Sequence, residues 1–92
     1  MLKAKFMTNY IAVIHKEKQS DFGVSFPDFP GCITAGRTVD EAREMAEEAL
    51  RGHITMMVDD RLAMPLPSRP EDILKDGNFA GAMGYVIARL DT

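Results

Sequence analysis

The residue types that usually carry chemistry are sparse in this chain of 92 residues. It has one cysteine, Cys32, and two histidines, His15 and His53. A cysteine nucleophile needs a base beside it. Neither histidine is near Cys32 in the sequence. His15 falls in a predicted strand and His53 in the middle of a predicted helix, so nothing places either of them as a base beside Cys32. We therefore interpret Cys32 as a small buried hydrophobe. Two histidines without further ligands at metal-binding spacing do not make a zinc site.

Two pairs of adjacent carboxylates, Glu47-Glu48 and Asp59-Asp60, raise the question of metal-dependent nuclease chemistry. Adjacent residues on a helix do not face the same way, so neither pair converges on one metal ion. A two-metal site needs carboxylates that converge from several elements, and the predicted strands offer almost none. The sequence thus favours a protein that is not an enzyme and needs no metal or other cofactor.

A proline-flanked loop holds better candidates for binding than for catalysis. It reads Pro27-Asp28-Phe29-Pro30-Gly31. On the functional interpretation, Asp28 offers a carboxylate to a basic partner and Phe29 is an exposed anchor. On the structural interpretation, Asp28 accepts local backbone hydrogen bonds in a turn and Phe29 packs inward. The residues alone leave both interpretations open.

Charge and composition exclude several classes of protein. Eleven Lys and Arg stand against fourteen Asp and Glu, and the net charge is −3. The arginines are scattered, which argues against nucleic-acid binding by this chain alone and favours a basic protein partner. One cysteine allows no internal disulfide, no apolar run reaches the roughly 20 residues of a membrane span, and the start lacks a signal-peptide pattern. We therefore expect a cytoplasmic protein.

Hydrophobic patterning predicts one domain over residues 1–92, with residues 1–7 as a loose N-terminal extension. Runs of β-branched and aromatic residues, or alternation of apolar and small residues, predict four strands. They cover residues 10–15, 22–26, 32–35 and 85–90. Pro30-Gly31 fits the centre of a tight turn, because proline fixes φ and glycine can take a positive φ.

Two capping-box patterns predict where helices begin. Thr38 and Glu41 open a helix that runs to about Asp59, with apolar residues along one face. Ser68 and Glu71 open a shorter helix of one or two turns.

The order β-β-β-α-(short α)-β predicts an α+β fold with sheet order 3-2-1-4. We expect the long helix to cover one face and a right-handed crossover to bring the last strand parallel to the first. The other face is then open or covered by a partner. The last strand becomes an exposed edge, so Tyr85, Ile87 and Arg89 are predicted to contact a second copy in a homodimer or larger homo-oligomer.

The segment from Phe22 to Cys32 contains the pattern F-P-D-x-P-G-C, and a capped helix opening with Glu41-Ala42 follows it. This combination resembles the HicB-like antitoxin family over residues 8–60, and more loosely beyond. The resemblance implies a partial ribonuclease-H-like fold. It also implies a partner, a HicA-like toxin, which is a small basic ribonuclease that cleaves messenger RNA. The antitoxin would neutralise the toxin by covering its active-site surface.

On this resemblance we expect the toxin to be contacted by a small set of residues, namely Asp21, Asp28, Phe29 and Pro30. Members of the family often carry a C-terminal DNA-binding domain. We expect no such domain in this chain, because Thr92 follows directly on the last predicted strand. We expect DNA binding only if the natural chain continues into such a domain. Two alternatives remain. One is a free-standing HicB-like oligomer without a toxin, and the other is an RNA-binding or ribonuclease-H-like enzyme.

Overall fold

The structure is a computed structural model that describes residues 7–16 and 18–91. Its regular elements are four strands, two α-helices and a 3₁₀ turn. They are β1 (Met7–Lys16), β2 (Phe22–Ser25), β3 (Ile33–Gly36), α1 (Val39–Asp59), α2 (Pro70–Lys75), the 3₁₀ turn (Gly77–Phe79) and β4 (Gly84–Asp91). Every predicted element is present. The loose extension predicted over residues 1–7 lies outside the described residues, except that Met7 begins β1.

The strands form one sheet in the order β3-β2-β1-β4, as predicted. Every neighbouring pair is antiparallel, so the prediction that the last strand runs parallel to the first is wrong. The reason lies in the path after α1. Residues 70–83 cross the sheet on the face away from α1, and β4 then begins beside the end of β1, where Gly84 pairs with Ile14. The handedness rule for crossovers between parallel strands therefore does not apply.

The face of the sheet beneath α1 holds the main core. Buried residues of three strands pack here against one stripe of the helix, and they are Tyr10, Ala12, Val24 and Ala88 from the strands and Ala42, Ala46, Leu50 and Ile54 from α1. The four helical positions recur at intervals of four residues, which is the spacing that predicted α1. The alanines in this stripe allow α1 to lie close to the sheet.

The predicted capping box at the start of α1 is confirmed. The backbone N–H of Glu41 donates to Oγ1 of Thr38 at 3.0 Å. The carboxylate of Glu41 in turn accepts from the backbone N–H of Arg37 at 3.2 Å, one residue before the cap. The first bond satisfies an amide group that the first turn of a helix leaves without a partner, and the second ties the residue before the cap to that turn.

The second face of the sheet is partly covered by the chain itself. Ile73 of α2 packs on Ile11 and Val13 of β1, with Phe79 and Ala82 beside them. The expectation that this face is open or covered by a partner is therefore wrong for this part of it. No helix of the described residues is both long and apolar enough to cross a membrane.

Residues 60–69, which we call the connecting segment, are tied to the sheet by hydrogen bonds over long sequence separations. The hydroxyl of Tyr10 donates to the carbonyl of Pro65 at 2.8 Å. The backbone N–H of Ser68 donates to the carboxylate of Asp28 at 2.8 Å, and the Ser68 hydroxyl donates to the other oxygen of the same carboxylate. The capping box predicted at Ser68 is wrong, because the cap of α2 is Arg69 and Ser68 bonds to Asp28 instead.

Substitution of Gly36 tests the close approach of β3 to α1. A Cβ atom at Gly36 would lie 2.4 Å from the backbone nitrogen of Ala42, where only movement of the helix makes room. We expect Gly36→Ala to lower the free energy of unfolding by about 1–3 kcal/mol, the usual cost of overpacking. Gly52, in the exposed part of α1, has nothing within 4 Å of the same position. Gly52→Ala should therefore raise the free energy of unfolding by about 0.5–1 kcal/mol. Urea denaturation measures both, and equal effects of the two substitutions would contradict this packing.

Substitution of Ser68 or Asp28 tests the tie on the connecting segment. Ser68→Ala removes one of the two bonds to Asp28, and we expect a loss of about 0.5–1.5 kcal/mol in the free energy of unfolding. Asp28→Ala removes both bonds and should cost more. Ser20 donates its hydroxyl to the carbonyl of Asp21 in an exposed turn, so Ser20→Ala is the matched control and should stay within about 0.5 kcal/mol. Thermal and urea unfolding measure these free energies. A Ser68→Ala protein as stable as the Ser20→Ala control would show that the bonds between Ser68 and Asp28 do not stabilise the fold.

Candidate functional site

The loop between β2 and β3 is built from two successive turns. The backbone N–H of Phe29 donates to the carbonyl of Phe26 at 3.1 Å, and that of Cys32 donates to the carbonyl of Phe29 at 3.0 Å. Pro30 and Gly31 occupy the centre of the second turn, and Gly31 has a φ of +89°. The predicted Pro-Gly turn is thus confirmed, and its glycine takes the conformation that the turn requires.

The ring of Phe29 lies inside the protein, where it is 2% exposed. Three rings surround it edge-on. They belong to Tyr10 at 4.7 Å, His53 at 5.7 Å and Phe26 at 6.3 Å between centroids. The interpretation of Phe29 as an exposed anchor is wrong, and the inward-packing alternative is confirmed. The physical reason is that the two turns direct this ring beneath α1, where it fills the space between the helix and β1.

Asp28 is half-buried, and both oxygens of its carboxylate accept hydrogen bonds from Ser68. Neither sequence interpretation describes it fully, since its bonds are neither local nor directed at a partner. Its charge also acts on a neighbour. Burial, and then the negative charge of Asp28, raise the pKa of Tyr10 above its ordinary value. The protonated phenol donates its hydrogen bond to the carbonyl of Pro65.

The remaining two predicted contact residues are exposed but far apart. Asp21 lies in the connection before β2, and Pro30 lies in the loop after it, so they sit at opposite ends of this strand. Since a strand advances about 3.3 Å per residue, the four residues of β2 alone separate them by roughly 13 Å along the strand. The four residues predicted to contact the toxin therefore do not form one continuous surface.

The structure separates the possible catalytic groups. Cys32 is 5% exposed, and burial raises the pKa of its thiol, which disfavours the reactive thiolate. Its interpretation as a buried hydrophobe is confirmed. The ring of His15 lies 3.2 Å from the hydroxyl of Ser25, while His53 packs against Phe29. Within residues 7–16 and 18–91, no three His, Cys, Asp or Glu side chains are grouped so that they could hold a metal ion.

Exposed apolar side chains that the sequence did not reveal follow the last turns of α1. Five large apolar side chains between residues 56 and 66 are exposed. We call them the α1-end surface, and they are Met56, Val58, Leu62, Met64 and Leu66. Leu66 is 88% exposed, and the exposed carboxylates Asp59 and Asp60 lie within the same stretch. Helical spacing and two prolines predicted where α1 ends but not which of these side chains stay in solvent.

The end of α1 holds this surface in place through its backbone. Arg61 adopts a φ of +57°, which is uncommon for a residue with a side chain. Its N–H donates to the carbonyl of Val58 at 3.0 Å, and the N–H of Leu62 donates to that of Met57 at 2.8 Å. This pair of bonds is a Schellman motif, which reverses the chain at a helix end. Leu62 and the residues after it are therefore directed away from the helix axis in a defined way.

The predicted edge position of the last strand is confirmed by the order of the sheet. Val86 and Ala88 of β4 face the core beneath α1. Because side chains alternate along a strand, Tyr85, Ile87 and Arg89 belong to the second face. All three are exposed, and their contact with a second copy stays a prediction.

Comparisons of the sequence with a family model and with individual proteins point to the same family. The sequence model that describes the HicB-like antitoxin of bacterial toxin–antitoxin systems matches residues 10–92. An uncharacterized 14.9 kDa protein from the rep–hol intergenic region of Haemophilus phage HP1 is 46% identical over 64 residues, which are 68% of this chain and 48% of that protein. Antitoxin HicB of Escherichia coli K12 is 36% identical over 59 residues, 64% of this chain and 43% of that one. The chain thus spans about half the length of these relatives.

Solved structures agree with the sequence comparison. The N-terminal domain of the Burkholderia pseudomallei antitoxin HicB superposes with a TM-score of 0.77 at 26% identity, covering 92% of this chain and 100% of that domain. A chain of the HicA3–HicB3 toxin–antitoxin complex superposes with a TM-score of 0.70 at 28% identity, covering 89% of this chain and 94% of that one. The α+β fold and sheet order predicted from the order of the elements are confirmed. With most of its length matched by the family's sequence model, this chain belongs to the HicB-like antitoxin family.

Proposed function

We propose that this chain is an antitoxin that neutralises a small, basic, RNA-cleaving toxin by covering the toxin's active-site surface. The observation that carries the proposal is the family match over residues 10–92. The similarity to a chain of a HicA3–HicB3 toxin–antitoxin complex supports it. Neutralisation by occlusion needs no catalysis by the antitoxin itself, so we propose a role without enzymatic activity. Because the toxin would act on messenger RNA, we place the encounter in the cytoplasm.

Charge supports this mechanism. A protein that cleaves RNA must present cations to the phosphate backbone, and such a surface attracts an acidic partner. The net charge of this chain is −3. Carboxylates on the antitoxin would therefore occupy the cations that RNA would otherwise neutralise, and the bulk of the domain would exclude the substrate.

We propose the α1-end surface as the main docking surface for the toxin. Large exposed apolar side chains can serve as anchors at an interface, and desolvated anchors carry most of the energy of binding. Leu66 is the most exposed large apolar residue described, and Asp59 and Asp60 supply negative charge close by in the sequence. Pro30 is exposed and lies in the same loop as Asp28, whose carboxylate binds Ser68 of the connecting segment. We therefore propose Pro30 as a toxin contact at the border of the α1-end surface. We propose Asp21, at the other end of β2, only as a weaker electrostatic contact.

Inhibition of RNA cleavage tests the proposed function. A small basic protein encoded next to the gene of this chain is purified as the candidate toxin and incubated with RNA. We expect cleavage to fall as this chain is added and to stop near a one-to-one ratio, because each antitoxin would cover one active site. Unchanged cleavage at a large excess of the chain would overturn the antitoxin function. RNA binding by the chain alone, with a steep dependence on salt, would favour the RNA-binding alternative.

Charge substitutions test the docking surface. Leu66→Asp places a carboxylate where an apolar anchor is proposed, and we expect the dissociation constant of the toxin complex to rise at least tenfold, which is about 1.4 kcal/mol. Met83 is 54% exposed and lies next to Ile14, at the end of the sheet opposite the loop that holds Pro30. Met83→Asp is therefore the matched control and should change affinity less than threefold. Calorimetry measures both constants, and equal affinities for the two variants would exclude the α1-end surface.

A further inference from the structure

Residues 64–69, which we call the proline stretch, belong to no helix or strand and lead into Pro70, the first residue of α2. Proline fixes φ near about −65°, and a residue that precedes proline is held in extended conformations. The two effects together restrict five residues of the stretch, namely Met64, Pro65, Leu66, Pro67 and Arg69. Arg69 shows the result, because its φ of −78° and ψ of 147° are those of a polyproline II helix. Ser68 is the one residue of the stretch that no proline restricts.

Hydrogen bonds from the folded domain supply the missing restraint. Both oxygens of the Asp28 carboxylate accept from Ser68, one from its backbone N–H at 2.8 Å and the other from its hydroxyl. At the other end of the stretch, the hydroxyl of Tyr10 donates to the carbonyl of Pro65 at 2.8 Å. Tyr10 is itself fixed, because it is 3% exposed and its ring packs edge-on against Phe29. The two ties therefore fasten the proline stretch on either side of its two middle residues.

The two residues between these ties, Leu66 and Pro67, face solvent. Leu66 is 88% exposed, and Pro67 is exposed as well. Among the described residues, the backbone groups of neither have a hydrogen-bond partner. A flexible loop would lose conformational entropy when a partner binds its leucine, whereas a segment that is already fixed loses little. The stiffness of the proline stretch thus favours binding of a side chain that the domain does not bury in its own core.

We propose that three residues position the proline stretch for the toxin without touching the toxin themselves, namely Tyr10, Asp28 and Ser68. They hold Leu66 and Pro67 in one extended conformation, and the toxin binds the stretch in that conformation. The toxin receives the Leu66 side chain in an apolar pocket and packs against the ring of Pro67. This inference rests on the proposed function, to which it adds how part of the α1-end surface is recognised.

The population of the extended conformation sets the size of the effect on affinity. When only a fraction of the molecules is competent to bind, the apparent dissociation constant rises by the inverse of that fraction. A proline stretch that has lost one tie and keeps this conformation between a third and a tenth of the time would bind roughly three- to tenfold more weakly. The prolines remain in such a variant, so we expect this partial loss and not the loss of all binding.

Backbone dynamics of the full chain test the stiffness without any partner. The heteronuclear NOE of an amide reports motion on the picosecond to nanosecond timescale. In the parent protein we expect the Leu66 amide to be as rigid as the amides of β1. Its NOE should fall in Ser68→Ala and in Tyr10→Phe, which keeps the ring but removes the donor, and should not change in the control Ser20→Ala. A mobile Leu66 in the parent, or no change in either variant, would overturn the proposal whether or not the chain is an antitoxin.

A double-mutant cycle tests the positioning role, with the small basic protein encoded next to the gene of this chain as the probe. Calorimetry should show that Ser68→Ala and Tyr10→Phe each raise the dissociation constant about three- to tenfold. Ser68→Thr keeps the hydroxyl and should bind like the parent. In a Leu66→Ala background, Ser68→Ala should change the constant by less than about twofold, because a positioning residue acts through the residue that it positions. A role in folding stability alone would lower affinity equally in both backgrounds.

Failure of this inference and failure of the proposed function give different results. A parent chain that does not bind the toxin overturns both. If the parent binds the toxin, affinities of Ser68→Ala and Tyr10→Phe equal to that of the parent overturn only the positioning role. A loss from Ser68→Ala that is equally large in the Leu66→Ala background does the same, and the antitoxin function stands in both cases.

Discussion

The burial of Phe29 beneath α1 is the constraint on which most of this structure depends. Its ring contacts Tyr10 of β1 and His53 of α1, so one side chain joins the sheet to the helix. The turns that direct the ring inward also present the neighbouring Asp28 to Ser68, which fixes the connecting segment. That segment starts the path across the second face and so determines where β4 enters the sheet. The loop sequence F-P-D-x-P-G-C is thus primarily a structural element.

Local signals in the sequence predicted the local structure. Alternation of residue types located the strands, the Thr38 cap located the start of α1, and Pro30-Gly31 located a turn that only glycine completes without strain. Contacts between distant residues were not readable in this way. The direction of β4 depends on the path of residues 60–83, and no pattern within a strand encodes its direction. The partner of Asp28 lies forty residues away, and the hydroxyl of Ser68 fits a helix cap equally well on sequence alone.

The same limit explains the candidate site. Residue types in the loop suggested binding, but Phe29 and Asp28 act inside the molecule, and the exposed apolar side chains lie at the end of α1. Leu62 and the residues after it leave the helix at a chain reversal at Arg61, and the identity of that residue does not predict a left-handed conformation. The exposed surfaces therefore fall on two different elements. The α1-end surface is proposed for the toxin.

Hydrogen–deuterium exchange of this chain, alone and in complex with the toxin, tests the central claim most directly, because it maps the covered surface by residue. The account predicts slower exchange over residues 56–66 and in the loop at Pro30 when the toxin binds. Exchange over β4, which lies outside the proposed docking surface, should not respond to the toxin. Protection confined to β4, or a complex that leaves residues 56–66 unchanged, would contradict the account.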